Sequence, residues 1–273
     1  MKTSRVLFYI VILVFALVLI ITLIKLSKIV YFFPSADYSG HLTNLYFLKE
    51  YGFHNIAPNW YMVYGGEYVL RYYPPLLSFY SLIFYSLINN IQLAFYISIV
   101  SIFVIGLIGI FLLGKTLNFS IKKRLFFFFF FYSNPITLPW FYIIGRIPEM
   151  LAWTFSFYLL ALIFSYKNKE LDKKFYLFLV SIFTLIFLTH TLIFLLAFIF
   201  FTGFFIMRNL KDKLKIALSL IFIPLLSSFW LIDFLKYSRT LENYMPGYRI
   251  YLHPTELIYS VFIPLAFFIV FFL

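Results

Sequence analysis

The sequence predicts an all-α bundle of transmembrane helices, and three observations lead there. Of the 273 residues, 64% are hydrophobic and only 12% are charged, against about 25% charged in soluble domains. Apolar runs long enough to cross a hydrocarbon core about 30 Å thick follow one another along the chain. The remaining charge, a formal net +12, is gathered in short Lys and Arg clusters between those runs, which is how cytoplasmic loops are marked. That distribution speaks against nucleic acid as the partner. The absence of cysteine excludes thiol catalysis, disulfides and Cys-ligated metal.

The first apolar run covers residues 6–24, behind Lys2 and Arg5. It is longer than the roughly 7–15-residue core of a signal peptide and no small-x-small cleavage site follows, so it reads as a retained helix with its N-terminus in the cytoplasm. The basic clusters at 115–124, 167–174 and 208–215 go to the cytoplasm by the same rule. Between Arg5 and Lys115 the number of crossings must then be even, yet three apolar segments lie there: 6–24, 74–88 and 91–113. The middle one is the shortest, opens with Pro74-Pro75 and carries Ser78, Tyr80, Ser81, Tyr85 and Ser86, so it is expected to lie in the interface without crossing. Lys25 and Lys28 fall outside in this scheme.

Residues 125–144 and 150–166 read as an outward hairpin turning at Gly145-Arg146-Ile147-Pro148-Glu149. The stretch 175–207 would be about 50 Å long as one helix. Basic clusters flank it on both sides, so two short helices turning at Thr189-His190-Thr191 are expected. Residues 216–235 then exit to the outside. The sum is about seven complete spans, with interfacial helices in a large first outer loop at 28–90 and another helix starting near Glu256. The apolar stretch 261–273 stops without a flanking charge, so residues 1–273 read as a single transmembrane module of a longer protein. No internal repeat is visible, and the phenylalanine run 126–131 reads as lipid-facing or packed helix.

On this topology Asp37, His41, Glu67, Arg71, Arg146, Glu149, His190 and Asp233 lie on or near the outer side, whereas the cytoplasmic loops are short Lys-rich connectors. A chemical site therefore faces outward. Leu42, Leu45, Tyr46 and Leu48 recur at helical spacing before Tyr51-Gly52, where Gly suits the C-cap, so an amphipathic surface helix is expected with Asp37 in its first turn and His41 one turn on. Asp37 can act there as a base or simply complement the helix N-terminus. Glu149 and Arg146 share a very short connector among apolar neighbours, where the acid can point into a cavity and the Arg can pair with it or with a phosphate. The alternative is an ordinary charged turn. His190 interrupts an apolar hairpin, and Arg71 before Tyr72-Tyr73-Pro74-Pro75 suits a phosphate. Trp60, Tyr73 and the neighbouring tyrosines fit an interfacial belt or a platform for a sugar. A divalent cation held by His41, His190 and the acids remains open, though no ligand spacing supports it.

Taken together, an acid after the first helix, a long outer loop with a Tyr-Pro-Pro-Leu element (residues 73–76) and a second outer loop with Gly-Arg-x-Pro-Glu (residues 145–149) resemble the GT-C superfamily of membrane glycosyltransferases. The likeness extends in particular to the prokaryotic membrane proteins labelled "6-pyruvoyl-tetrahydropterin synthase-related", a label that does not describe their activity. It covers residues 6–235, on short motifs. The resemblance implies a GT-C-like fold and a lipid-linked sugar as donor, with an unidentified acceptor and membrane lipids as the other partners. Asp37 matches the acid that acts as base or orients the acceptor, while Glu149 and Arg146 match the second-loop pair that binds donor phosphate, metal or acceptor. Many members carry a second acid beside the first, whereas Tyr38 follows Asp37 here. The expected catalytic residues are thus Asp37 and Glu149, with His41, Arg71, Arg146, His190, Trp60 and Tyr73 around the substrate. Two rival functions are a transporter or flippase, which needs ionisable residues deep in spans or paired broken helices, and a non-catalytic lipid-binding assembly subunit.

Because the chain has no cysteine, single probes test the topology cleanly. Asn118→Cys and Asn168→Cys should react with impermeant thiol reagents only from the cytoplasmic side, and Ser39→Cys only from outside. Labelling of Asn118→Cys from outside would mean that 74–88 crosses.

Overall fold

The computed structural model describes residues 10, 36–52, 73–137, 140–141 and 144–244. Every regular element among them is helical. The expected first span apart from Ile10, most of the first outer loop and the helix near Glu256 lie outside the described residues. The chain divides into two compact units, Met1–Asn55 with Leu76–Phe164, and Ile56–Pro75 with Ser165–Leu273.

The first unit contains α1 (Ala36–Tyr51), α2 (Leu76–Ile88), α3 (Ile91–Thr116), α4 (Ile121–Ser133) and all but the end of α5 (Ile147–Tyr166). α1 stops where the sequence suggests: Gly52 has φ +69 and its N–H bonds to the Leu48 carbonyl at 3.0 Å, a geometry that favours glycine because it has no Cβ to clash. Its inward residues are Tyr38, Leu45 and Leu48, whereas Tyr46, expected on the apolar face, is exposed. Leu45 enters a core with Leu77, Phe95 and Tyr96. The apolar side of α1 thus packs on α2 and α3.

α2 pairs closely with α3. Ser81 Oγ and Ser98 Oγ lie 2.7 Å apart, and Tyr80 bonds to Ser101, so α2 runs antiparallel along the first half of α3. The serines and tyrosine that suggested an interfacial helix are partly the means of this pairing: a hydroxyl in apolar surroundings is costly unless another protein group meets it.

α3 is the axis of the unit. Where Gly106, Gly109 and Gly114 lie, a Cβ would press respectively on Tyr132, Tyr158 and the Arg124 stem, so these small residues let α4 and α5 approach closely. The opposite stripe, Val104, Ile108 and Leu112, is exposed and suits lipid. α4 is antiparallel to α3, with Tyr132 near Gly106 and Arg124 near Gly114. α5 is antiparallel to α4, because Tyr132 Oη meets Thr154 Oγ1 at 2.7 Å while the Phe127 and Phe157 rings pack at 5.8 Å. The phenylalanine run is both lipid-facing and packed: Phe126 and Phe130 are exposed and Phe128 is buried.

The expected helix at 125–144 is broken. α4 ends at Ser133, and the Asn134 side-chain oxygen accepts from the N–H groups of Ile136 and Thr137 at 2.9 and 3.0 Å. Pro135 disfavours helical backbone at Asn134, which turns extended. A wide π-type turn including Trp140, Phe141 and Ile144 follows. α5 begins at Ile147, earlier than the expected residue 150, because Pro148 fits the first turn, where an N–H would have no helical partner.

In the second unit, α6 (Lys173–Thr189) and α7 (Thr191–Ile206) are separated by His190 alone, where the stretch was expected to fold back. Their pairing is antiparallel, since Phe187 packs on Phe194 and Phe175 on Phe204. Asp172 caps α6 by accepting from Phe175 N at 2.8 Å, and Arg208 donates to the carbonyls of Tyr166, Lys167 and Lys169. The expected span 216–235 is instead α8 (Leu210–Leu220), α9 (Phe222–Leu226) and α10 (Ser228–Tyr244), bent by 69° between Leu226 and Ser228. Pro224 supplies a reason for the break between α8 and α9, as it lacks the N–H that would bond to the Leu220 carbonyl.

Ile91–Thr116 and Ile147–Tyr166 are long and apolar enough to cross a membrane, and the bent pair would make a third such element. Leu76–Ile88 and Thr191–Ile206 are apolar but shorter.

The contact at Gly106 yields a test. Gly106→Ala should lower the apparent Tm of the solubilised protein, since overpacking costs about 1–3 kcal/mol. In a Tyr132→Phe background the penalty should shrink without vanishing, because the ring carbon remains 2.7 Å from the added methyl. Equal penalties in both backgrounds would show that Tyr132 is not the obstacle.

Candidate functional site

Two chain reversals bring the polar residues of the first unit together. Gly145, with φ +90, turns the chain out of the π-type segment. Arg146 follows and Glu149 sits in the first turn of α5, where the positive end of the helix dipole favours a carboxylate. From the other direction, the Tyr38 hydroxyl donates to the Phe141 carbonyl at 3.2 Å. Burial, with Tyr96 adding to it, pushes that hydroxyl up to about 12, so it stays protonated as a donor. The bond fixes the start of α1, and with it Asp37, against the segment that carries Trp140.

Glu149 is the anchored acid. Its Oε2 accepts from Trp140 Nε1 at 2.9 Å and lies 3.6 Å from Arg146 Nη1. Trp153 supplies a further side-chain hydrogen bond. The Arg146 guanidinium lies 3.8 Å from the Trp140 ring centroid, a cation–π stack that keeps the fork flat against the indole. The Glu149 side chain is 15% exposed and that of Arg146 32%, so the acid is enclosed and the cation faces partly outward.

Asp37 is exposed and feels the charge of Arg146. Partial withdrawal from water pushes its carboxyl above the usual range, and the attraction of Arg146 offsets only part of that. One guanidinium thus bears on two acids of different standing: Glu149 committed to donors, Asp37 able to take a proton. Among the described residues no three His, Asp or Glu side chains gather as metal ligands.

Of the other sequence candidates, His41 is half-buried one turn after Asp37, and Tyr73 is half-buried before Pro74, Pro75 and α2. His190 is a half-buried joint in the second unit, with extended backbone at φ −159, ψ 114. Asp233 is half-buried on α10. Trp60, Glu67 and Arg71 lie outside the described residues. Sequence reading missed Trp140, Trp153 and the inward role of Tyr38. The available signal was Asn134-Pro135, which ends α4 and frees 136–144 to turn, so that an indole N–H in an apolar stretch must find an acceptor.

No family model matches the chain, and no curated protein or solved structure was found similar to it.

The Asp37 environment gives a signed expectation. A carboxyl with a raised native pKa binds its proton more tightly folded than unfolded, so its contribution favours the fold on the acid side and is lost as pH rises through that pKa. Arg146→Gln removes the lowering influence and should move the Asp37 titration further up. Carboxyl NMR with Asp37→Asn as the assignment control reads this directly, and an unmoved midpoint would separate Asp37 from Arg146.

Proposed function

We propose that this chain is a GT-C-type membrane glycosyltransferase that moves a sugar from a polyprenyl-phosphate donor to an acceptor on the non-cytoplasmic face. The observation that carries the reading is the Arg146 guanidinium, stacked on Trp140, paired with the anchored Glu149 and bearing electrostatically on the exposed Asp37. This site belongs to the end of α5 opposite the Lys115–Arg124 connector, because α3, α4 and α5 alternate in direction. With that connector cytoplasmic, the site faces out, in a bundle of about seven spans.

The lipid tail of such a donor stays in the bilayer while its phosphate and sugar reach the surface. Asp37 takes the proton from the acceptor hydroxyl, and the acceptor oxygen attacks the anomeric carbon. The bond from that carbon to the phosphate oxygen breaks, and the polyprenyl phosphate leaves with the electron pair. Arg146, stacked on Trp140, lies beside the growing phosphate charge. The donors around Glu149 give it a positioning role: it aims Arg146 rather than taking the proton, which departs from its assignment as a catalytic acid in the sequence reading. His41, in the same unit, remains a candidate for the substrate's surroundings.

The bent α8–α10 element favours a second reading as a lipid or sugar-lipid transporter, for which broken helices are a signature. Only one such break occurs among the described residues, whereas the transporter pattern pairs them between repeats.

The test is sugar transfer in membranes with a panel of polyprenyl-phosphate sugars. Asp37→Asn keeps the side-chain size and removes the basicity, so transfer should fall about 10²- to 10⁴-fold while donor binding persists. Arg146→Ala should raise KM for donor as well as lowering kcat, since a charge-assisted contact is lost from ground and transition states. Undiminished turnover by Asp37→Asn would end this mechanism, and movement of donor across vesicles without transfer would favour the transporter.

A further inference from the structure

The side-chain bonds between α2 and α3 fix the depth of α2 as well as its direction. Ser81 meets Ser98 and Tyr80 meets Ser101. Extended along two unbroken helices, that antiparallel register sets Leu76, the first residue of α2, level with residues 103–105 of α3. That level is roughly 18–20 Å from either end of α3 at 1.5 Å per residue. α3 has 26 residues and is apolar enough to cross a membrane, and its length of about 39 Å exceeds a hydrocarbon core of about 30 Å. The surplus of roughly 9 Å is met by projection at one end or the other, or by tilt. In each case the start of α2 lies about 10–20 Å inside the apolar layer, measured from the Ile91 side. The other end of α2, followed by Asn89-Asn90, comes level with the start of α3.

The polarity of α2 follows the same gradient. From Leu76 to Tyr85 no polar side chain is exposed: Ser78 and Ser81 are buried, and Tyr80 and Tyr85 are half-buried. Exposed polar residues begin at Ser86 and continue at Asn89 and Asn90. A helix lying in the interface needs a polar face along its whole length, and α2 has one only at its end. Its outward row is apolar, with Ile83 60% and Leu87 78% exposed and Phe79 half-buried one turn deeper. A complete crossing is too long for it, since 13 residues reach only about 20 Å.

The deep end is suited to enclosure. Pro74 and Pro75, immediately before α2, are buried and carry no N–H that would need a partner there. Irregular backbone at membrane depth is tolerated where protein surrounds it. Leu77 belongs to the same buried cluster as Ile147 and Met150, which stand on either side of Glu149 in α5.

We propose that α2 is a re-entrant half-helix that begins inside the bilayer, in the core shared with the start of α5, and rises to the surface at Asn89-Asn90 with Phe79, Ile83 and Leu87 against lipid acyl chains. The inference rests on α3 spanning the membrane and is independent of the transferase reading. It keeps the number of crossings between Arg5 and Lys115 even without a helix lying on the surface.

Depth measurements on the full chain in vesicles decide the matter. Phe79, Ile83 and Leu87 form one row at four-residue spacing, so an in-plane helix holds them at equal depth. Phe79→Cys, Ile83→Cys and Leu87→Cys, each spin-labelled, should instead lie successively deeper from Leu87 to Phe79, by about 4–6 Å per step, in collision measurements with oxygen and a nickel chelate. Equal depths would overturn the proposal, and so would a maximum at Ile83, the mark of a helix that crosses. If Phe79→Cys fails to fold, the exposed pair Ile83 and Leu87 still reads the gradient. Asn89→Cys should react with an impermeant thiol reagent from the side opposite to Asn118→Cys. Reaction of both from one side would show that α3 does not cross, which removes the premise without touching the Asp37 chemistry.

Discussion

A carboxylate at the apolar end of a helix bundle needs donors, and the first unit is arranged to provide them to Glu149. Trp140 reaches it only because the chain breaks after α4 and makes a wide turn. Arg146 reaches it because Gly145 adopts a left-handed conformation and reverses the backbone. Trp153 reaches it from the next turn of α5. Two of these donors have a second duty: Trp140 carries the Arg146 guanidinium on its face, and Arg146 bears on Asp37. The helix start at Ile147, the turn before it and the seat of α1 are thereby parts of one electrostatic arrangement.

That arrangement stands on a close-packed wall. α3 can bring α4 and α5 near only along its glycine side, where Gly114 meets the Arg124 stem and the other two bulky partners are tyrosines whose hydroxyls are themselves satisfied: Tyr132 by Thr154, and Tyr158 by the Ile105 carbonyl at 2.7 Å. In lipid the gain from burying apolar surface between helices is small, so contacts of this kind carry the specificity. The apolar stripe of Val104, Ile108 and Leu112 can be smooth and interchangeable, whereas a change on the glycine side must be answered by a neighbour.

The second unit solves a different problem, how to reverse direction in very little chain. One extended residue, His190, ends α6 and begins α7, and stacked rings from both helices hold the pair together. Arg208 then ties the far end by occupying three carbonyls around the turn before α6. The next element bends instead of reversing, and its inner corner is polar.

Much of this architecture could be read from the sequence. The helical class, the C-cap at Gly52 and the fold-back at His190 follow from composition, glycine and the length limit on a span, all local or additive properties of the chain. Asp37, Arg146 and Glu149 were legible as candidates because charge is rare here and conspicuous for that reason. Their roles were not, because whether an acid is exposed or anchored depends on donors that arrive from elsewhere, as Trp140 does across a turn read from sequence as plain helix. The place of α2 was likewise undecidable: Ser81 and Tyr80 look the same whether they face headgroups or the hydroxyls of Ser98 and Ser101. The sequence determined that the chain is helical and where charge is scarce, since those depend on periodicity and composition. Only the tertiary structure decided which polar groups meet, since a hydrogen bond between distant residues is a property of packing.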